Sequence, residues 1–201
     1  MKRLKIESNQ INFIGSWKLD NDNICKNIIK FFEKNIDLQK DGSTGDGKKA
    51  NIKKTTDINI HPKNLKDENF LDIKKYINEL HKCYVDYQEQ WPFLKDKISN
   101  VDIPTFNIQK YNPGDHFSHI HTERSSLNTL HRVFAWMTYL NDVEDGGSTY
   151  FTHYNLRIKP EIGKTLIWPA EWTHAHCGEI LNSGVKYIIT GWMHFPSNIE
   201  N

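Results

Sequence analysis

Five consecutive residues, His119-Ile120-His121-Thr122-Glu123, set two imidazoles and a carboxylate at alternate positions. In a strand alternate side chains share a face, so all three could reach one cation. Two histidines and one carboxylate on one side of an ion, with the other side open, form the donor set of non-haem Fe(II) oxygenases. A His-x-carboxylate pair supplies two donors, and Trp172-Thr173-His174-Ala175-His176 is the obvious source of the third. Taken alone, His-x-Glu equally describes two surface residues on a strand edge. Ten residues after His176, Lys186 opens an apolar strand on which Lys186, Ile188, Thr190 and Trp192 share a face. A lysine there is not buried unpaired. A ligand with a carboxylate at its far end would satisfy it, and so would snorkelling to water. Eight of the ten histidines lie at or after His116, which a metal site would explain.

Two kinds of pattern must position these groups. From Ile11 to about Leu94 the signals are mainly helical. Asp20 to Asn23 offers caps before Ile24, Ile28, Ile29, Phe31 and Phe32. A longer helix is predicted from Lys66 to Gln90, with Phe70, Ile73, Tyr76, Ile77, Leu80, Cys83 and Tyr84 on one face, ended by Trp91-Pro92. The polar stretch Gln39 to Asn64, with Gly42, Gly45 and Gly47 and many lysines, reads as a loop. From Val101 onward short strands alternate with turns: Pro104–Tyr111, His116–Glu123, Arg132–Leu140, Ser148–Phe151, Leu156–Lys159, Lys164–Trp168 and Lys186–Phe195. Such spacing predicts a sandwich or barrel. The expected fold is mainly β with N-terminal helices, a double-stranded β-helix (jelly roll, cupin-like). We expect one domain over 1–201, with 1–100 as a helical support region and 101–196 as the β core.

The stretch from Gln109 to Phe195 resembles the prolyl 4-hydroxylase-like branch of the 2-oxoglutarate/Fe(II) dioxygenases. Tyr111-Asn-Pro-Gly114-Asp-His-Phe117 is similar to the family's Tyr-x-x-Gly-x-x-Tyr. Tyr139-Leu-Asn-Asp-Val-Glu-Asp-Gly-Gly-Ser-Thr149-Tyr-Phe151 is similar to its Tyr-Leu-x-Asp-Val-x-x-Gly-Gly-x-Thr-x-Phe. Lys159-Pro160, Gly163 to Trp168, the ten-residue step from His176 to Lys186 and the closing strand follow in family order. The resemblance implies that His121, Glu123 and His176 hold Fe(II). It implies that Lys186, helped by Tyr111 and Thr149, binds the far carboxylate of 2-oxoglutarate, and that Trp192 lines the pocket. His119, His174 and Tyr139 would stand behind these groups. O₂ would be the second cosubstrate and ascorbate a reductant. The reaction implied is hydroxylation of a substrate C–H with conversion of 2-oxoglutarate to succinate and CO₂.

Three departures qualify the match. The family's His-x-Asp is His-x-Glu here. The stretch from Tyr111 to His121 is one residue longer than the pattern. A one-residue slip flips a strand's faces, so a bulge near Asp115–Phe117 is expected and His119 stays a candidate ligand. His174 and His176 could both face inward, and only the spacing to Lys186 favours His176.

Composition narrows the rest. The net charge is +1, which gives no field to attract nucleic acid or an anionic membrane. No apolar run is long enough to span a bilayer. The start MKRLKIESNQ lacks the apolar stretch of a signal peptide. Cys25, Cys83 and Cys177 are few and dispersed, which fits a reducing cytoplasm. The expected substrate is a prolyl residue of a peptide or protein, with a small molecule as the other option, and the oligomeric state is open. A competing reading is a jelly-roll metal-binding or sensing protein that holds Zn or Ni through His119, His121, His174 and His176 and has no use for Lys186. A third is an inactive relative in which Glu123 is the defect. Among lesser candidates, Trp136, Phe151 and Trp168 read as core, Gly146 and Gly147 as a turn, and His153 and His194 as non-ligands. Arg132 either pairs with a carboxylate or opens its strand. Arg124–His131 reads as a lid or a surface connection.

Overall fold

The computed structural model describes residues 1–7, 11–43 and 51–196. The chain opens with β1 (Lys2–Arg3) and β2 (Gly15–Lys18), two strands too short to show any alternation in sequence. Helix α1 (Asp22–Lys34) starts where the Asn21 side chain accepts from the backbone N–H of Asn23, and it buries Cys25, Ile28 and Phe32. Two strands follow, β3 (Lys40–Asp41) and β4 (Thr56–Ile60). They correct the reading of Gln39 to Asn64 as a loop. Lysine-rich flanks hid a five-residue run in which Ile58 and Ile60 are fully buried. Gly45 and Gly47 lie outside the described residues.

Helix α2 (Leu71–Gln90) begins five residues later than the pattern suggested. Pro62 and the Asp67 side chain, which accepts from the N–H of Asn69, set up two 3₁₀ turns first. Its buried stripe is Ile73, Tyr76, Leu80, Cys83, Tyr84 and Tyr87. Trp91 ends it, and α3 (Pro92–Lys97) follows with proline at its first position. The strands β5 (Phe106–Tyr111), β6 (Phe117–His121), β7 (Arg132–Tyr139), β8 (Thr149–Phe151), β9 (Leu156–Ile158), β10 (Lys164–Pro169), β11 (His176–Gly178) and β12 (Lys186–His194) complete the chain.

These strands form two antiparallel sheets. The larger has the order β1-β2-β10-β7-β12-β5-β4-β3, the smaller β6-β11-β8-β9. The expected jelly roll is present, with a correction to its outer part. Residues 1–100 are not only helical, because β1, β2, β3 and β4 extend both edges of the large sheet. The central strands of that sheet bury side chains on both faces. Ile58, Phe106, Ile108, Trp136 and Ile189 face α1 and α2 and join one core with Ile28, Phe32 and Tyr76. Tyr111, Met137, Tyr139, Leu166 and Ile188 face the small sheet and join Phe151 and Leu181 in a second. Covering the outer face with helices removes it from water, at about 1.5–3 kcal/mol for each large apolar side chain buried. The inner face is left as the wall of a site. Among the described residues no helix is long and apolar enough to cross a membrane.

Candidate metal centre

Strands β6 and β11 pair antiparallel with His121 and His176 as register partners. Glu123 lies two residues beyond the end of β6. One donor atom from each of the three lies within 4.8 Å of the others. Nε2 of His121 is 3.6 Å from Oε1 of Glu123, and Nε2 of His176 is 3.4 Å from the same oxygen. Nδ1 of His121 lies 2.8 Å from the carbonyl oxygen of His119. Nδ1 of His176 lies 2.9 Å from that of His174. A carbonyl can only accept, so in each ring Nδ1 carries a proton and Nε2 is the nitrogen that faces the cluster. Phe117 stacks on His121 with ring centroids 4.0 Å apart, and Trp168 meets His176 edge-on at 5.1 Å. Rings so confined hold their orientation without a ligand.

Glu123 is held from the other side. Its Oε2 accepts a 2.6 Å hydrogen bond from the indole N–H of Trp192, which leaves Oε1 toward the imidazoles. Arg132 donates to the Glu123 carbonyl at 2.9 Å, and its guanidinium lies 3.8 Å over the Trp192 ring. Burial works against ionisation of Glu123. The imidazoles of His121 and His176 outweigh it and hold the carboxyl well below its usual range. Arg132 therefore both opens β7 and braces the carboxylate residue.

The structure separates the candidates that the sequence left together. His119 is exposed and contributes its carbonyl, not its ring. Between His121 and Phe117 the register with β11 shifts, with three residues of β6 (118–120) set against one of β11 (Cys177). The bulge falls within β6, slightly later than expected near Asp115–Phe117. His174 is buried, with Nε2 2.7 Å from the carbonyl of Asn12 and Nδ1 3.0 Å from the Thr173 hydroxyl. Both its nitrogens are in use, so the all-imidazole site is not assembled. His153 packs on Trp172 and His194 on His131. Among the described residues neither belongs to the metal-competent cluster.

On the inner face of the large sheet, Lys186 and Tyr111 are register partners. Lys186 is 3% exposed. Its Nζ donates to the Gly147 carbonyl at 2.8 Å and lies 4.1 Å over the Tyr111 ring. Burial pushes its pKa down to about 7. Gly147 has φ +67°, and a Cβ there would press on the Lys186 stem at 3.2 Å. Thr149 and Tyr139 share a 2.7 Å hydrogen bond. Tyr139 also donates its one hydroxyl proton to the Ile158 carbonyl at 3.0 Å, so Thr149 is the donor between them. Tyr111 donates to Gln109 Oε1 at 2.9 Å, Gln109 donates to Asp57 at 3.2 Å, and Asp57 accepts from Lys53 at 2.7 Å.

The bond from Trp192 to Glu123 has no signal in the sequence, since a tryptophan on an inner face reads as a wall. Lys53 and Asp57 were hidden in the stretch taken for a loop. Gln109 could have been found, because it lies two residues before Tyr111 on the same strand face.

These residues fit Fe(II) and 2-oxoglutarate. The cluster offers two imidazole nitrogens and a carboxylate oxygen, the 2-His-1-carboxylate donor set suited to Fe(II). A buried lysine met only by a carbonyl and an aromatic face is matched to an incoming carboxylate. Residues 106–194 match the family model of the 2OG-Fe(II) oxygenase superfamily. Solved structures with the same fold include a prolyl-4-hydroxylase from Pseudomonas putida, at TM-score 0.69 and 14% identity over 92% of this chain and 94% of that one. A viral collagen prolyl hydroxylase from Paramecium Bursaria Chlorella virus-1, in complex with 2OG, is similar at 0.62 and 18% over 92% and 97%. A prolyl hydroxylase from Trichoplax adhaerens, in complex with a hypoxia inducible factor peptide fragment, is similar at 0.70 and 15% over 92% and 84%. A jelly roll surrounds the His-carboxylate-His cluster and the buried Lys186; residues 106–194, under half of the chain, are similar to the 2OG-Fe(II) oxygenase superfamily, on a fold shared with prolyl hydroxylases.

Proposed function

We propose that this chain is a 2-oxoglutarate-dependent dioxygenase that hydroxylates a prolyl residue of a peptide or protein, with His121, Glu123 and His176 as the Fe(II) ligands. The observation that carries the ligand assignment is the convergence of one ring nitrogen from each of His121 and His176 and one carboxylate oxygen of Glu123 within 4.8 Å. Bound there, Fe(II) with 2-oxoglutarate and O₂ supplies an oxidant strong enough for a C–H bond, while 2-oxoglutarate becomes succinate and CO₂.

The remaining chemistry falls to the protein. His119 and His174 fix the ligand rings through their carbonyls. Trp192 sets which carboxylate oxygen of Glu123 faces the metal. Lys186, Tyr111 and Thr149 receive the far carboxylate of 2-oxoglutarate, which aims its keto-acid end toward the ligands. Phe117, Phe151 and Trp168 keep water from the ligand rings. A peptide substrate is supported by the rim, where Trp172 is 67% and Leu127 84% exposed beside the ligand strands. Arg124 anchors that rim, donating to the Leu130 carbonyl at 2.9 Å and pairing with Glu171. Three buried free thiols support residence in a reducing compartment, the cytoplasm.

The test is an anaerobic titration of apo protein with Fe(II) and then 2-oxoglutarate, followed by prolyl peptides under O₂ with mass detection. A weak visible charge-transfer band and a one-oxygen mass gain on proline are expected. His121→Ala and His176→Ala should each abolish both signals. Turnover surviving in either variant refutes the ligand assignment.

A further inference from the structure

The inner face of the large sheet is apolar where it meets the small sheet and polar where its chemistry lies. One part of it is polar for no reason yet given. Asn59 and Asn107 are register partners on β4 and β5, and Asn107 is in turn the partner of Thr190 on β12. Asparagine is depleted in strands, and two side by side weaken a sheet unless something uses them. No side-chain hydrogen bond joins either to another described residue. Neighbouring Asp57, by contrast, is fully met by Lys53, Thr55 and Gln109. Both asparagines open into a cavity of about 480 Å³ walled also by Lys40, Asp41, Ser43 and Asp57, a size suited to a ligand segment. Thr190 lies two residues before Trp192, whose indole holds Glu123. Strands are spaced about 4.8 Å apart, so the row from Thr190 through Asn107 to Asn59 spans roughly 10 Å, the length of three extended residues.

We propose that Asn59 and Asn107 form a subsite that hydrogen-bonds the backbone amides of the substrate peptide flanking the hydroxylated residue. Each carboxamide donates and accepts, as does each peptide unit, so the pair is complementary to an extended chain and indifferent to its side chains. The charges around the cavity do not compete for this role. Asp57 is neutralised by Lys53, and Lys40 and Asp41 place one charge of each sign on the rim. The subsite rests on the peptide reading above and extends it, since it makes the enzyme a reader of chain length rather than of a single proline.

The test uses N-acetylated, C-amidated prolyl peptides of one, three and five residues with proline central, assayed on holoenzyme. Wild type should show a KM that falls with length. Asn59→Thr and Asn107→Thr keep β propensity, so folding is preserved and is checked by the Fe(II)–2-oxoglutarate band. Each should raise KM for the five-residue peptide roughly two- to tenfold, the worth of one hydrogen bond, while leaving KM for the one-residue probe and for 2-oxoglutarate alone. If both variants bind the long peptide as wild type does, the subsite is wrong and the prolyl reading survives. If free proline or the one-residue probe is the best substrate of wild type, the subsite is likewise wrong. If no probe is hydroxylated while 2-oxoglutarate is still consumed, the prolyl reading falls and the subsite with it.

Discussion

Burial holds Lys186 at a pKa of about 7, beside the Gly147 carbonyl and the Tyr111 ring. Above that pH the amine is neutral and a carboxylate gains little from it. A bound dianion restores the charge, so 2-oxoglutarate binding should take up a proton near and above neutral pH, and its KM should rise with pH. Calorimetry in buffers of differing ionisation heat measures the uptake, and pH-independent binding without it would count against Lys186. The same burial lowers the stability of the ligand-free fold. The group's contribution is full above its ordinary value of 10.5 and is lost as pH falls toward 7. At Glu123, replacing Trp192 with phenylalanine removes the donor that fixes Oε2. Fe(II) affinity should then drop about tenfold, measured by competition with a chelator, with 2-oxoglutarate affinity less affected. Residue types and spacing carried most of this site. The sequence points to His121, Glu123, His176 and Lys186 through the family resemblance, with alternation and the ten-residue step in support. The exclusion of His119 could not be read there, because a bulge is a property of two strands in register and only one of them is written at that point in the sequence.

At the scale of elements, register does the positioning. His121 meets His176, Lys186 meets Tyr111, and Ile188 meets Tyr139, each as paired residues of neighbouring strands. The strand missed in the sequence, β4, extends this logic, since Asp57 pairs with Gln109 and thereby reaches Tyr111. Its alternation was short and embedded among lysines, and only tertiary pairing makes it a strand. Removing one partner of its buried ion pair should be costly. Lys53→Ala leaves Asp57 charged and uncompensated, and should lower unfolding free energy by about 3–5 kcal/mol in urea titrations. Gln109→Leu should act more narrowly. It frees the Tyr111 hydroxyl and should raise KM for 2-oxoglutarate roughly two- to tenfold, with Fe(II) binding intact. Equal loss of Fe(II) binding would mean that the strand itself had shifted.

Across the whole molecule, stability and chemistry occupy opposite faces of one sheet. The helical side is closed by aromatic and aliphatic packing, together with buried polar pairs such as the Tyr76 and Thr138 hydroxyls 2.8 Å apart. Ile28→Ala should therefore cost about 2–5 kcal/mol by thermal or chemical unfolding while KM for 2-oxoglutarate stays near wild type. A comparable rise in KM would show that the helices transmit to the site. The division between a mainly helical first half and a β second half, natural from periodicity, omits the strands that the first half adds to the large sheet. The edges of the large sheet are taken from chain before residue 61, where strands are only two to five residues long. The pairing of His121 with His176 has a last consequence. It joins two short strands of the small sheet that are remote along the chain and share few backbone hydrogen bonds. An ion held by both rings and by Glu123 acts there as a removable rivet, fastening the seam between the lip of the barrel and its closing strand. Iron supply would then govern how long the mouth of the enzyme keeps its shape, as well as whether it turns over.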